Sequence, residues 1–90
     1  KVFDKPTFRL SPNLLSQRGM GTLLQLSGAQ NQLVKITVYQ VWDGALSWEQ
    51  NIIPRSNDYA LRLPLPNMEG WYAVRVACGA EHQWFKVFLH

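Results

Sequence analysis

The chain has one cysteine, Cys78, so no internal disulfide can staple it, and its fold has to rest on a core alone. That suits a reducing cytosol or a bacterial exported protein, and argues against a small animal secreted domain, which is usually rich in bridges. Histidine is scarce too, with His82 and His90 only. Structural zinc wants four nitrogen or sulfur ligands at tight spacings, so neither a metal nor any other cofactor is expected. No apolar run approaches the ~20 residues that cross a bilayer as a helix. Charge is thin at 17% of residues, and nine Lys and Arg against six Asp and Glu leave a net +3. The cations come singly, with no basic run to track a phosphate backbone. Nucleic acid is not an expected partner.

Catalytic constellations are missing as well. None of the six acids pairs with another on one strand face, as the two carboxylates of glycoside hydrolysis must. No Ser-His-Asp arrangement is legible. Gly19-Met20-Gly21 leads into a strand-like run, whereas a phosphate loop leads into a helix N-terminus. Cys78 and His82 stand close in sequence and invite a thiol-centred reading. A cysteine nucleophile, however, needs a base beside its thiolate and a third group to orient that base. Alternation puts Cys78 with Val74 and Val76 inside the core, and His82 beyond a Gly79-Ala80 turn in solvent. A thiol-dependent enzyme centred on Cys78 is therefore the disfavoured alternative, and the chain is not expected to be an enzyme.

What the sequence does have is alternation. Hydrophobic residues make up 47% of the ninety, enough for one packed domain spanning 1–90. A chain of this size buries roughly 60–65% of its unfolded surface. It opens on Lys1 without a methionine or a signal-peptide pattern, so it is expected to be a piece of a larger protein. Seven runs show the period of a half-buried strand. Phe8 and Leu10 share a face, as do Leu24 and Leu26. Val34, Ile36 and Val38 oppose Lys35, Thr37 and Tyr39. Leu46 is expected to side with Trp48, and Tyr59, Leu61, Leu63 and Leu65 line up together. Tyr72, Val74, Val76 and Cys78 oppose Trp71, Ala73, Arg75 and Ala77. Phe85, Val87 and Leu89 oppose Trp84, Lys86 and Phe88.

Turn residues separate these runs. Asp43-Gly44 reads as a two-residue type I′ hairpin, whose central positions both need φ > 0. Ser11-Pro12 followed by Gly19 reads as a helix of a turn or two. Seven strands spaced about ten residues apart describe an all-β, antiparallel, seven-stranded immunoglobulin-like β-sandwich, with an antiparallel barrel as the rival. "EGWYAV" supports the first. Tyr72 follows a glycine corner and precedes a core valine by two residues, where such sandwiches carry a tyrosine whose hydroxyl bonds back to the corner.

This phasing leaves rings interleaved with cations on one sheet face: Trp71, Arg75, Trp84, Lys86 and Phe88, joined by Lys35, Tyr39 and Val41 of the neighbouring strand. Such a face fits a neighbouring domain or protein, a carbohydrate, a lipid headgroup or another anionic ligand. The expected function is a non-catalytic module that docks or binds through it. A stand-alone carbohydrate- or protein-binding domain is the alternative.

"GWYAVRV" followed by "WFKVFLH" resembles the C-terminal accessory domain of bacterial phosphocholine-specific phospholipases C. Gly70, Trp71 and Tyr72 match the opening of that family's penultimate strand, and Phe85 with Lys86 falls in its closing strand. "TLLQLSGAQNQLVKITVYQ" is similar in outline to its two central strands. Ala73 stands where the family usually has an acid, and Leu89-His90 where it tends to a glycine. The resemblance implies a bacterial exported protein, extracytoplasmic or secreted, and an accessory module of that phospholipase. The family's catalytic residues lie in a separate domain, so it assigns no catalytic role here.

Overall fold

The computed structural model describes residues 6–11, 14–15, 22–65 and 68–89. Every element in them is a strand: β1 Thr7–Ser11, β2 Leu14–Leu15, β3 Thr22–Ser27, β4 Val34–Gln40, β5 Leu46–Ile52, β6 Asp58–Leu63, β7 Gly70–Cys78 and β8 Glu81–Leu89. One sheet has the order β1-β3-β6 and the other β2-β8-β7-β4-β5. Seven strands pair antiparallel, three in the first sheet and four in the second. The two-residue β2 adds a short parallel bridge to β8, Leu14 to Phe88 and Leu15 to Leu89. The architecture is all-β and two-sheeted, as in a β-sandwich.

The alternation has a direct physical result. Along β7 the side chains of Tyr72, Val74, Val76 and Cys78 are buried while those between them are not. Leu24 and Leu26 of β3, Val34, Ile36 and Val38 of β4, Leu63 of β6, and Val87 and Leu89 of β8 complete one core with them. Phe8, Trp48, Tyr59, Leu61 and Phe85 pack on its margin. Because side chains alternate with period two, burying this set fixes register, and a one-residue slip would turn all of it to water.

Three local expectations are corrected. The stretch expected to be helical contains β2 instead, since Leu14 and Leu15 are extended and paired to β8; apart from Ser11, which ends β1, its other residues lie outside the described ones, as does the whole of Gly19-Met20-Gly21. A cap and a stop make a short helix possible, but pairing with the open edge of a long strand satisfies more backbone groups. The β4–β5 hairpin turns through four residues, not two. Gln40 N–H donates to the Ala45 carbonyl at 2.9 Å and Gly44 N–H to the Gln40 carbonyl at 2.7 Å. Only Gly44, at φ 70°, is left-handed there, while Asp43 accepts the Ala45 N–H at 2.9 Å through Oδ1. Finally, Leu46 and Trp48 do not share a face. The register passes from Val38↔Trp48 to Tyr39↔Leu46, so Ser47 is an extra residue, and such a bulge reverses the alternation. Trp48 packs against the core and Leu46 is 55% exposed.

Candidate recognition face

The outer face of the five-stranded sheet is built row by row from the strand registers. Leu46, Tyr39, Ala73 and Lys86 form one row across β5, β4, β7 and β8. Glu49, Thr37, Arg75 and Trp84 form the next, and Asn51, Lys35, Ala77 and His82 the one beyond. On the other side of the Ala73 row, Trp71 pairs with Phe88, and the Val41 N–H donates to the Trp71 carbonyl at 3.1 Å. The seven residues singled out from the sequence, Lys35, Tyr39, Trp71, Arg75, Trp84, Lys86 and Phe88, all stand in these rows.

The rings come in two packed pairs. Trp71 lies against Phe88 with centroids 5.0 Å apart, and Tyr39 reaches Trp84 at 6.0 Å. Both indoles keep about half their surface in solvent, 49% for Trp71 and 53% for Trp84. On the outer face of β7, Ala73 and Ala77 flank Arg75, so the floor is low on either side of that side chain. Thr37, flanked by Glu49 and Arg75, is covered by the longer side chains and only 2% exposed. Charge on the face is uneven. Lys35 meets Glu49 at 3.2 Å, whereas among the described residues Arg75 and Lys86 have no carboxylate within ion-pair reach.

The end of the sheet beside Trp71 is more apolar than the sequence suggested. Trp42 of the β4–β5 loop sets its ring edge-on to Tyr72, centroids 5.3 Å apart, and its ring covers Gly70. A Cβ at Gly70 would come within 2.5 Å of it, and Gly70 has φ +144°. Val41, Trp42, Met68, Glu69, Gly70 and Trp71 enclose a cleft of about 400 Å³. Val41, Trp42, Leu46 and Met68 are each roughly half exposed. Sequence periodicity passed over Trp42 and Met68, which sit in connections, and placed Leu46 with Trp48, on the wrong face, because the bulge beside it leaves no hydrophobic trace. A tryptophan in a turn was the available signal. A hollow of about 630 Å³ at the β1-β3-β6 sheet mixes inward Phe8 and Tyr59 with outward Arg9 and Asp58 and gathers no rings on its outer side.

Tyr72 is wholly buried, and its hydroxyl donates to the Met68 carbonyl at 2.6 Å. Cys78 is 2% exposed, and its Sγ donates to Gln32 Oε1 at 3.3 Å. Burial pushes the thiol's pKa above its ordinary value. His82 lies exposed on the outer row, opposite Ala77, while Cys78 faces inward. The sheet thus separates the imidazole from the thiol. Among the described residues no group of His, Cys, Asp and Glu is placed to hold a metal ion, and no helix is long and apolar enough to cross a membrane. Comparison with known proteins finds no matching family model, no matching curated protein and no matching solved structure.

Proposed function

We propose that the chain is a non-catalytic β-sandwich module of the immunoglobulin-like type that works by binding, with the outer face of β8-β7-β4-β5 as its recognition surface. The observation that carries this reading is the exposure of Trp71 and Trp84 beside Arg75 and Lys86, which form no ion pair among the described residues. Exposed indoles contribute nothing to the core, and aromatic side chains at the centre of a surface are where binding energy concentrates. The occupant is a neighbouring domain or a ligand. The strand order β1-β3-β6 against β8-β7-β4-β5, with a tyrosine hydroxyl tied to the corner before β7, supports the immunoglobulin-like assignment. The pattern around Gly70-Trp71-Tyr72 favours an accessory module of a bacterial exported phospholipase C, with catalysis supplied elsewhere. A thiol-centred enzyme is disfavoured by the buried, desolvated Cys78.

Two substitutions test the face. Trp84→Ala should leave the unfolding midpoint within about 0.5 kcal/mol of the parent, as for a surface change. Val87→Ala should cost about 1–3 kcal/mol, because it empties a buried site. Unfolding of the chain by Trp84→Ala would make that ring a core element and remove the recognition surface.

A further inference from the structure

The outer face is rich in hydrogen-bond donors around Trp84 and poor in acceptors. Arg75 and Lys86 offer only N–H groups, and the acid in the row of Arg75 and Trp84, Glu49, meets Lys35 at 3.2 Å. A ligand here has to bring oxygen acceptors and negative charge. It also has to bring flat apolar faces, because the rings form two platforms, Trp71 on Phe88 and Trp84 on Tyr39. Trp84 and Phe88 are four residues apart on β8, which at ~3.3 Å per residue separates the platforms by about 13 Å. Lys86 stands midway, and Ala73 beside it leaves the floor low. Each indole leans on a second ring, so less side-chain freedom is lost when a ligand settles.

We propose that this face binds an acidic polysaccharide, with sugar rings resting on the two aromatic platforms and uronate carboxylates meeting Lys86 and Arg75. The proposal rests on the outer sheet face being the recognition surface. Sugar rings present a C–H face to an aromatic ring, and a uronate polymer carries acceptor oxygens and a recurring carboxylate. A protein partner fits less well. Its main chain brings as many N–H donors as acceptors, and lysine is depleted from the centre of protein interfaces, the place Lys86 would occupy. Single-stranded nucleic acid shares the flat rings and the acceptors, but it needs a basic groove that follows every phosphate. Arg75 and Lys86 do not make one.

The test is a tryptophan-fluorescence titration of the ninety-residue chain with four probes: an oligogalacturonate, its methyl ester, poly-L-glutamate and oligo(dT). The oligogalacturonate should give a saturable change that weakens as salt is raised. Affinity should fall about tenfold or more in Trp84→Ala, the usual scale for an aromatic anchor, and several-fold in Lys86→Gln. The methyl ester, equal in ring shape but uncharged, should bind several-fold more weakly. Equal binding of the ester, equal or tighter binding of poly-L-glutamate or oligo(dT), or no saturable change with the oligogalacturonate would each overturn the proposal. Acrylamide quenching of the unliganded protein separates this from failure of the underlying reading. If Trp84→Ala stays folded and removes a quenchable fraction, the face is open and only the carbohydrate assignment is at stake. If Trp84 is shielded or its loss unfolds the chain, the recognition surface itself falls and the proposal with it.

Discussion

Removing one oxygen atom from the core, by Tyr72→Phe, isolates the hydrogen bond that ties β7 to the segment before it. Tyr72 is fully buried, and its hydroxyl donates to the Met68 carbonyl at 2.6 Å, a short and strong geometry. Phenylalanine keeps the ring in the core and keeps its edge contact with Trp42, centroids 5.3 Å apart. The loss falls on the hydroxyl, whose hydrogen bond to Met68 goes and whose acceptor carbonyl is left to find another partner. A net hydrogen bond contributes ~0.5–1.5 kcal/mol, and stranding its acceptor in a dry site raises the cost to ~1–3 kcal/mol. Met68 is half exposed, so water can reach that carbonyl once the hydroxyl is gone. The expected cost is therefore about 1 kcal/mol. For a domain of this size that lowers Tm by roughly 4–8 °C. Urea unfolding should show a lower midpoint at an unchanged slope, because the surface exposed on unfolding is the same. An unchanged midpoint would refute the reasoning: the corner would hold without its hydroxyl, and the strongest local support for the immunoglobulin-like assignment would go.

Gly70→Ala should destabilise by about 1–3 kcal/mol, because the new Cβ meets the Trp42 ring at 2.5 Å and φ +144° is strained for any side chain but hydrogen; loss of the Trp42 contact should also change the fluorescence. Cys78 should resist thiol reagents at neutral pH until the chain unfolds, and labelling of the native protein at the rate of a free thiol would contradict its burial. Its raised pKa has a definite sign for stability. The favourable contribution of the neutral buried thiol is complete below the ordinary value of 9.0 and is lost as pH rises through the higher folded-state value. Comparison with Cys78→Ala should therefore show equal pH dependence at neutral pH and a steeper alkaline decline in the parent.

Strand identity was legible wherever one face of a strand meets the core and the other meets water. In β7 the period runs unbroken from Tyr72 to Cys78, and the buried positions follow it. Legibility failed where backbone geometry, not hydrophobicity, decides the outcome. Ser47 inserts one residue and turns Leu46 outward, which no hydrophobic pattern records, because leucine is equally apolar on either face. Asp43-Gly44 carries the residues of a two-residue turn, yet Gln40 pairs with Ala45 and widens the loop to four, admitting Trp42 to the ring of Tyr72. Leu14 and Leu15 have cap and stop signals around them, but helix signals are weak priors against an available strand edge. The same limit applies to the face. Its seven residues follow from strand period, while the pairing of rings across strands depends on register, which the sequence does not print.

The two faces of β8 bear on why this chain has its aromatics where they are. A sandwich needs Val87 and Leu89 inward, and both are fully buried. Nothing in folding asks for a tryptophan at position 84. Its row partner is Arg75 and its ring neighbour Tyr39, both on the outer face and away from the core. Half-exposing an indole leaves roughly half of its large apolar area in water, which favours association with whatever covers it. Trp71, two rows away, repeats the arrangement with Phe88 beside it. Lone exposed rings are ordinary on a protein surface. Two of them, each beside a second ring and separated by a lysine with no ion pair among the described residues, form a spaced pattern instead. Folding accounts for the inward residues of β7 and β8, and the proposed recognition role is our reading of the outward ones.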